Sequence, residues 1–200
     1  LDALANIDFA TRTEKDEHRT LEIVRIGTCG GMQEDIPLGT FLVSEKSIGW
    51  DGVLAFYEGR DEIADLGFED ALVDFIHYPA KAARPYVVAA NPELVNRIAG
   101  DDMMRGCTIA ANGFYGPQGR VLRCDLAVKD INERITDFRY EGQRITNYEM
   151  EGSAIAGLSL LMGHKAMTVC CVIAQRKVEA ANTDYKPRIK QLVQTVLERI

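Results

Sequence analysis

The 200-residue sequence lacks several features that mark particular classes of protein. It has no basic run, and its 30 acidic against 23 basic side chains give a formal net charge of −7, which argues against a nucleic-acid partner. It has no apolar stretch near the ~20 residues that a membrane span needs, and no signal peptide, so we expect a cytoplasmic protein without a membrane partner. An initiator Met is also missing, from which we expect an incomplete copy of a longer chain.

Motifs for common cofactors are missing as well. The sequence contains neither a G-x-G-x-x-G fingerprint nor a Walker A loop, which disfavours a bound nucleotide cofactor. The five cysteines are odd in number and lack C-x-x-C spacing, so we expect reduced thiols in packed positions. The histidines are scattered, and we expect surface or structural roles for His18, His77 and His164. No metal, flavin or nicotinamide is indicated.

Apolar runs of strand length alternate with helical patterns along the chain. The predicted strands are Leu21–Ile26, Thr40–Ser44, Tyr86–Ala90, Cys107–Ala111 and Ala166–Ala174. The last run is apolar on both alternating faces, which is typical of a central strand covered on both sides. This pattern predicts one α/β domain over residues 1–200, with a mixed or mostly parallel sheet and its function at strand ends.

Helix start and stop signals separate several of these strands. Asn91 is a predicted N-cap for a helix over Pro92–Ala99, and small apolar residues predict a second helix over Glu151–Met162. Thr183 or Asp184 is expected to cap a final helix. Its apolar stripe is formed by Ile189, Leu192, Val193, Val196 and Leu197.

Three glycines follow the first predicted strand in the segment Gly27-Thr28-Cys29-Gly30-Gly31. Glycines let the backbone approach a ligand closely and can aim successive N–H groups at an anion. Arg25 adds a planar guanidinium that matches phosphate oxygens, and Thr28 adds a hydroxyl. The alternative is a tight turn in which Arg25 forms a structural ion pair.

Two later segments carry groups suited to a nucleoside. In Gly113–Arg120, Phe114 can stack on a base, Gln118 can donate and accept hydrogen bonds, and Arg120 can stabilise charge on a departing base. In Asn147–Gly152, a carboxylate of Glu149 or Glu151 can accept hydrogen bonds from sugar hydroxyls, with Met150 over the sugar. The alternatives are a solvated surface loop and acids placed at a helix start by the macrodipole.

Together the segments R-I-G-T-x-G-G, F-Y-x-x-Q-x-R and E-M-E-x-S-A resemble the nucleoside phosphorylase family, specifically its uridine phosphorylase branch. The resemblance runs from Leu1 to Ile200. It implies a three-layer α/β fold with a mixed central sheet flanked by helices. It also implies reversible phosphorolysis of uridine to uracil and ribose 1-phosphate, with inorganic phosphate as co-substrate and no cofactor.

The resemblance implies a role for each matching residue. Arg25 and Thr28 would bind phosphate with Gly27 shaping the turn, while Cys29 and Gly30 would line its nucleoside side. The implied nucleoside contacts are Phe114, Gln118 and Arg120 for the base, Arg176 near the base pocket, and Glu149, Met150 and Glu151 for the ribose. The implied catalytic residues are Arg25, Gln118, Arg120 and Glu151.

The sequence departs from the family pattern in two ways. The family's early strand and glycine loop, which supply another phosphate contact and an arginine, do not precede Leu1. Gln175 stands where the uridine branch commonly has Asn. Since family members share active sites between subunits, the resemblance implies a homo-oligomer, either a dimer or a hexamer.

Two other functions stay open. Purine nucleoside phosphorylases and nucleosidases of this family place Ser-Asp after the last core strand, whereas this chain has Gln175 and Arg176 there, which favours a pyrimidine. The second alternative is a non-catalytic relative that binds nucleosides, which the incomplete phosphate site would favour.

Overall fold

Strands and helices alternate along the chain in the computed structural model, which describes residues 1–176 and 180–200. The strands are β1 Ile7–Asp8, β2 Thr13–Glu14, β3 Glu22–Gly31, β4 Phe41–Gly49, β5 Tyr86–Ala89, β6 Met103–Ala110, β7 Arg139–Tyr140, β8 Gln143–Glu149, β9 Lys165–Gln175 and β10 Ala180–Ala181. The helices are α1 Asp2–Asn6, α2 Arg60–Ile63, α3 Leu66–Ile76, α4 Pro92–Ile98, α5 Ile131–Asp137, α6 Gly152–Leu161 and α7 Lys186–Arg199. All five predicted strands are confirmed, with shifted ends.

The central sheet is mixed, as predicted. Its strand order is β10-β9-β3-β8-β6-β4-β5, and β7 pairs with β8. The pairs β3–β9, β6–β8 and β4–β6 are parallel, whereas β3–β8 and β4–β5 are antiparallel. Residues 41–44 of β4 also pair antiparallel with β9, which closes a ring of five strands. This closure brings distant strand ends to one side of the sheet.

Helices cover the sheet and bury its apolar side chains. One cluster joins α4 and α7 to β9 through Leu94, Val169 and Val196. Another places Leu72 of α3 and Ile135 of α5 against β6 and β8. Strand β9 is buried along most of its length, which confirms the prediction of a central covered strand. Among the described residues, no helix is both long and apolar enough to cross a membrane.

The predicted helix starts have mixed outcomes. Asn91 caps α4 as expected, since its Oδ1 accepts a hydrogen bond from the Leu94 N–H at 3.1 Å. The predicted cap of the last helix is wrong: α7 begins at Lys186 after Tyr185. Pro187 in its first turn suits a helix start, because the N–H that proline lacks has no partner there.

Burial along α7 also departs from the predicted stripe. Leu192 and Val196 are fully buried, whereas Leu197 is 65% exposed. The core contacts only a narrow face of this helix, so Leu197 points past its edge. The apolar stripe is therefore narrower than the sequence predicts.

The segment after Ile26 is not the predicted turn. Strand β3 continues through all three glycines to Gly31, with a register shift between Cys29 and Gly30 against β9. The backbone there is held on both sides, because β9 pairs with one edge and Tyr148 of β8 with the other. The glycines therefore continue the strand instead of turning the chain, and Gly27 and Gly31 leave room for the side chains of Arg25 and Gln175.

Candidate active site

The carboxyl ends of four strands meet at one place. Gly30 of β3 pairs with Tyr148 of β8 and with Ala174 of β9, and Ala110 of β6 pairs with Glu149. A cavity of about 240 Å³ opens there. Its lining is Arg25, Thr28, Cys29, Gly30, Phe114, Gln118, Arg120, Tyr148, Glu149, Met150, Glu151, Ile173 and Ala174. Every residue that the sequence predicts for the site lines this cavity except Gly27 and Arg176.

Arg25 forms one end of the cavity and is held by acidic side chains. Its Nη1 lies 3.0 Å from Glu149 Oε2 and 3.3 Å from Cys170 Sγ, and its Nη2 pairs with Glu151. A Cβ atom on Gly27 would lie 2.8 Å from Arg25 Nη1. Gly27 therefore leaves room for the guanidinium, which is a different role from the predicted one of shaping a turn.

The two acidic partners of Arg25 differ in burial. The Glu149 side chain is fully buried, and its carboxylate accepts hydrogen bonds from the N–H groups of Glu151 at 2.9 Å and Gly152 at 2.8 Å. Burial raises the pKa of Glu149, although the charge of Arg25 and the backbone hydrogen bonds lower it. The Glu151 side chain is 59% exposed. Glu149 is thus fixed in place, whereas Glu151 has solvent beside it.

The other end of the cavity is a cluster around Gln118. Arg120 Nη1 donates to Gln118 Oε1 at 2.8 Å, and Arg176 Nη2 donates to the same oxygen at 2.5 Å. The Arg120 guanidinium also stacks on the Phe114 ring, 3.8 Å from its centroid. With both guanidinium groups on its oxygen, Gln118 offers its amide N–H groups to a ligand.

Arg176 stands just beyond this cavity. With Arg120 it lines an adjoining cavity of about 390 Å³, and its guanidinium lies 5.1 Å from the centre of the Tyr148 ring. Burial and the neighbouring charge of Arg120 lower the pKa of Arg176 to about 10. Within residues 1–176 and 180–200, neither Arg120 nor Arg176 forms a salt bridge with a carboxylate. Among the described residues, the cluster around Gln118 therefore carries positive charge that no carboxylate neutralises.

Some cavity residues were missed by the sequence predictions. Tyr148 is buried against the cavity and donates to Asn132 Oδ1 at 3.2 Å. Its place directly before Glu149 at a strand end is a signal that could have found it. Ile173 and Ala174 line the cavity without a polar group, so only the strand pairing reveals them.

Gln175 holds a neighbouring segment of the fold. Its buried Nε2 donates to the carbonyl oxygens of Gln33 at 2.7 Å and Ile36 at 2.8 Å. The longer Gln side chain in place of the family's Asn therefore has a structural use here. Arg176 still reaches Gln118 beside it.

The remaining sequence predictions can be placed in the structure. Among the described residues, His164 is buried, accepts from the Leu21 N–H at 3.2 Å and lies 3.0 Å from Asp2, a structural position as expected. All five cysteines are free, and four are buried, with Cys124 exposed. No group of three or more His, Cys, Asp or Glu side chains suited to a metal occurs in the part of the chain that the structure describes.

Comparison with known families gives one match over nearly the whole chain. The model of the phosphorylase superfamily matches residues 5–199.

Curated relatives are similar over part of their length. Uridine phosphorylase A of Schistosoma mansoni is 28% identical over 161 residues, which cover 76% of this chain and 47% of the relative. The uridine phosphorylase of Haemophilus influenzae is 25% identical over 153 residues, covering 76% of this chain and 53% of the relative. The chain thus spans about half the length of these relatives.

Solved structures share the fold. The nucleoside phosphorylase of Trypanosoma brucei, which shows uridine phosphorylase activity, superposes with a TM-score of 0.80 at 23% identity, covering 99% of this chain and 73% of that one. Isoform 2 of uridine phosphorylase from Schistosoma mansoni gives a TM-score of 0.61 at 22% identity, covering 90% of this chain and 59% of that one.

Proposed function

The chain belongs to the phosphorylase superfamily, and from this premise we propose that it is a uridine phosphorylase, which cleaves uridine with inorganic phosphate to give uracil and ribose 1-phosphate. The observation that carries the proposal is a single cavity whose lining offers groups for each part of the substrates. These are Arg25 and Thr28 for phosphate, Met150 and Glu151 for the ribose, and Phe114, Gln118 and Arg120 for the base. The relatives named above support the same activity.

The base end favours a pyrimidine with carbonyl oxygens. Gln118 N–H groups and the guanidinium of Arg120 are hydrogen-bond donors, which match O2 and O4 of uracil and mismatch the 4-amino group of cytosine. Phe114, which is 52% exposed at the cavity mouth, can cover the base. A purine would need an acid to protonate N7, and after Ala174 the chain continues with Gln175 and Arg176 instead.

The proposed reaction depends mainly on position and charge. Cleavage of the C–N bond gives an oxocarbenium-like sugar and an anionic base, and phosphate is already a charged nucleophile. Arg25 would hold phosphate below the sugar. Arg120 and Arg176 would stabilise the uracil anion, since their charge is not neutralised by a carboxylate within the described ranges. Glu151 and Met150 would hold the ribose.

The direct test is phosphate-dependent release of uracil from uridine, followed by ultraviolet absorbance. We expect turnover with uridine and phosphate, and none when phosphate is omitted. Inosine provides the comparison, and faster cleavage of inosine would replace this proposal with the purine one. Binding of uridine without turnover in either condition would favour a non-catalytic relative.

The proposal includes an assembly and a location. We propose a homo-oligomer, a dimer or a hexamer with shared active sites, in the cytoplasm. Light scattering combined with the uracil-release assay tests the assembly, and an active monomer would contradict shared sites.

A further inference from the structure

The unequal attachment of the two carboxylates that hold Arg25 has a consequence for ligand binding. Glu149 is fully buried and is fixed by the N–H groups of Glu151 and Gly152, so it cannot leave Arg25 without leaving backbone donors unpaired. The Glu151 carboxylate is 59% exposed, and the only partner that the structure gives it among the described residues is Arg25. It is also the N-cap of α6 without a side-chain capping bond. Glu151 can therefore move without loss of another contact.

We propose that Glu151 occupies the anion position on Arg25 in the unliganded protein, and that a tetrahedral dianion displaces it. This inference rests on the proposed function, because the dianion is the phosphate co-substrate. A dianion offers more charge than one carboxylate to the same guanidinium, and hydrogen bonds between charged groups are the stronger ones. The Nη2 atom that Glu151 contacts is the position that the dianion takes, while Nη1 stays on Glu149.

Displacement of Glu151 has a second effect. The released carboxylate faces the same cavity, which Tyr148 and Met150 also line, and is free to accept hydrogen bonds from sugar hydroxyls. Binding of the dianion thus makes the Glu151 carboxylate available to the ribose of the nucleoside. Because coupling between two ligands is reciprocal, nucleoside binding must equally raise the affinity for the dianion. Glu151 is then a coupling residue between the two substrates.

The test uses sulfate, an unreactive tetrahedral dianion, and uridine, with both affinities measured by isothermal titration calorimetry at constant ionic strength. In the wild type we expect saturating sulfate to tighten uridine binding. In Glu151→Gln we expect sulfate to bind about two- to fivefold more tightly, since the competing ion pair of a half-exposed carboxylate is removed. The same variant should bind uridine more weakly and should lose the sulfate effect on uridine.

A matched control separates displacement from a general change of charge. Glu133→Gln removes an exposed carboxylate at the adjoining cavity, where no ion pair with Arg25 exists. It should leave sulfate affinity and coupling unchanged. Unchanged or weaker sulfate binding by Glu151→Gln, intact coupling in that variant, or no sulfate binding by the wild type would overturn the proposal. The uracil-release assay is independent: displacement without turnover would contradict only the proposed function.

Discussion

The two ends of the cavity differ in whether their arginines are paired with carboxylates. At the end where we propose that phosphate binds, one guanidinium, that of Arg25, is neutralised by Glu149 and Glu151. An anion that arrives from solution must compete there with a carboxylate. Under the displacement proposed above, an anion binds there only by replacing the Glu151 carboxylate.

At the end where we propose that the base binds, two guanidinium groups share one neutral acceptor. Arg120 and Arg176 both donate to Gln118 Oε1, and within residues 1–176 and 180–200 no carboxylate pairs with either. A positive charge without a carboxylate partner in a partly buried site lowers the stability of the fold. The same charge stabilises a transition state in which negative charge develops nearby. If the proposed function holds, we expect the cluster around Arg25 to bind an anion in the ground state and the cluster around Gln118 to act in the transition state.

The largest effect is expected at the base end. Arg120→Ala should lower kcat about 10²- to 10³-fold with a smaller change in KM for uridine, because its interaction grows as the base leaves. Initial rates over a range of uridine concentrations test this. Arg123→Ala, an exposed arginine in the same loop, is the control and should keep its activity. A change in KM alone, with kcat unaltered, would mean that Arg120 binds the ground state and the transition state equally, which would contradict the prediction.

A smaller effect is expected at the phosphate end. Arg25→Ala should raise KM for phosphate and lower kcat, with kcat/KM for phosphate falling about 10- to 100-fold as a charged hydrogen-bond partner is lost. The measurement is the phosphate dependence of uracil release at saturating uridine. Arg97→Ala, on the outer surface of α4, is the control. An unchanged phosphate dependence would remove Arg25 from the site.

Discrimination between bases should depend on Gln118. Gln118→Ala should reduce the preference for uridine over cytidine by about tenfold. The 4-amino group of cytidine leaves buried hydrogen-bond donors of the protein unpaired, and the variant has fewer such donors, so the penalty for cytidine is smaller. Rejection of inosine should persist in this variant. Competition assays with uridine, cytidine and inosine measure both preferences. An unaltered uridine-to-cytidine ratio would place recognition on the two arginines alone.

The smallest effect concerns stability and pH. Burial raises the folded-state pKa of Glu149, so its contribution to stability is full below the unfolded-state pKa and is lost as pH rises through the folded-state pKa. Arg25→Ala removes the charge that lowers this pKa. The free energy of unfolding of this variant should therefore fall more steeply than that of the wild type as the pH rises above the unfolded-state pKa of Glu149. Urea unfolding at several pH values measures it.

A second variant checks that the slope comes from this one carboxyl. Adding Glu149→Gln to Arg25→Ala removes the group that titrates, so the extra pH dependence should disappear. A slope that persists in the double variant would assign the effect to another residue.

Local patterns predict much of the fold and the kinds of residue in the site. Apolar runs locate β3, β4, β5, β6 and β9, because burial of a strand requires such a run whatever its neighbours are. The Asn91 cap is also local, since donor and acceptor lie three residues apart. By contrast, a glycine-rich segment is compatible with a turn or with a strand. Only pairing with β8 and β9 makes this one a strand.

The sequence by itself determined which chemical groups were available: an arginine before glycines, an amide and an arginine in one loop, and two acids before a helix. Only the tertiary structure decided which of them meet. Arg25 and Glu151 are 126 residues apart, and Gln118 and Arg176 are 58 residues apart. Contacts at such separations follow from sheet closure and strand register, which bring distant strand ends together. The opposite charge balance at the two ends of the cavity is therefore a property of the folded chain.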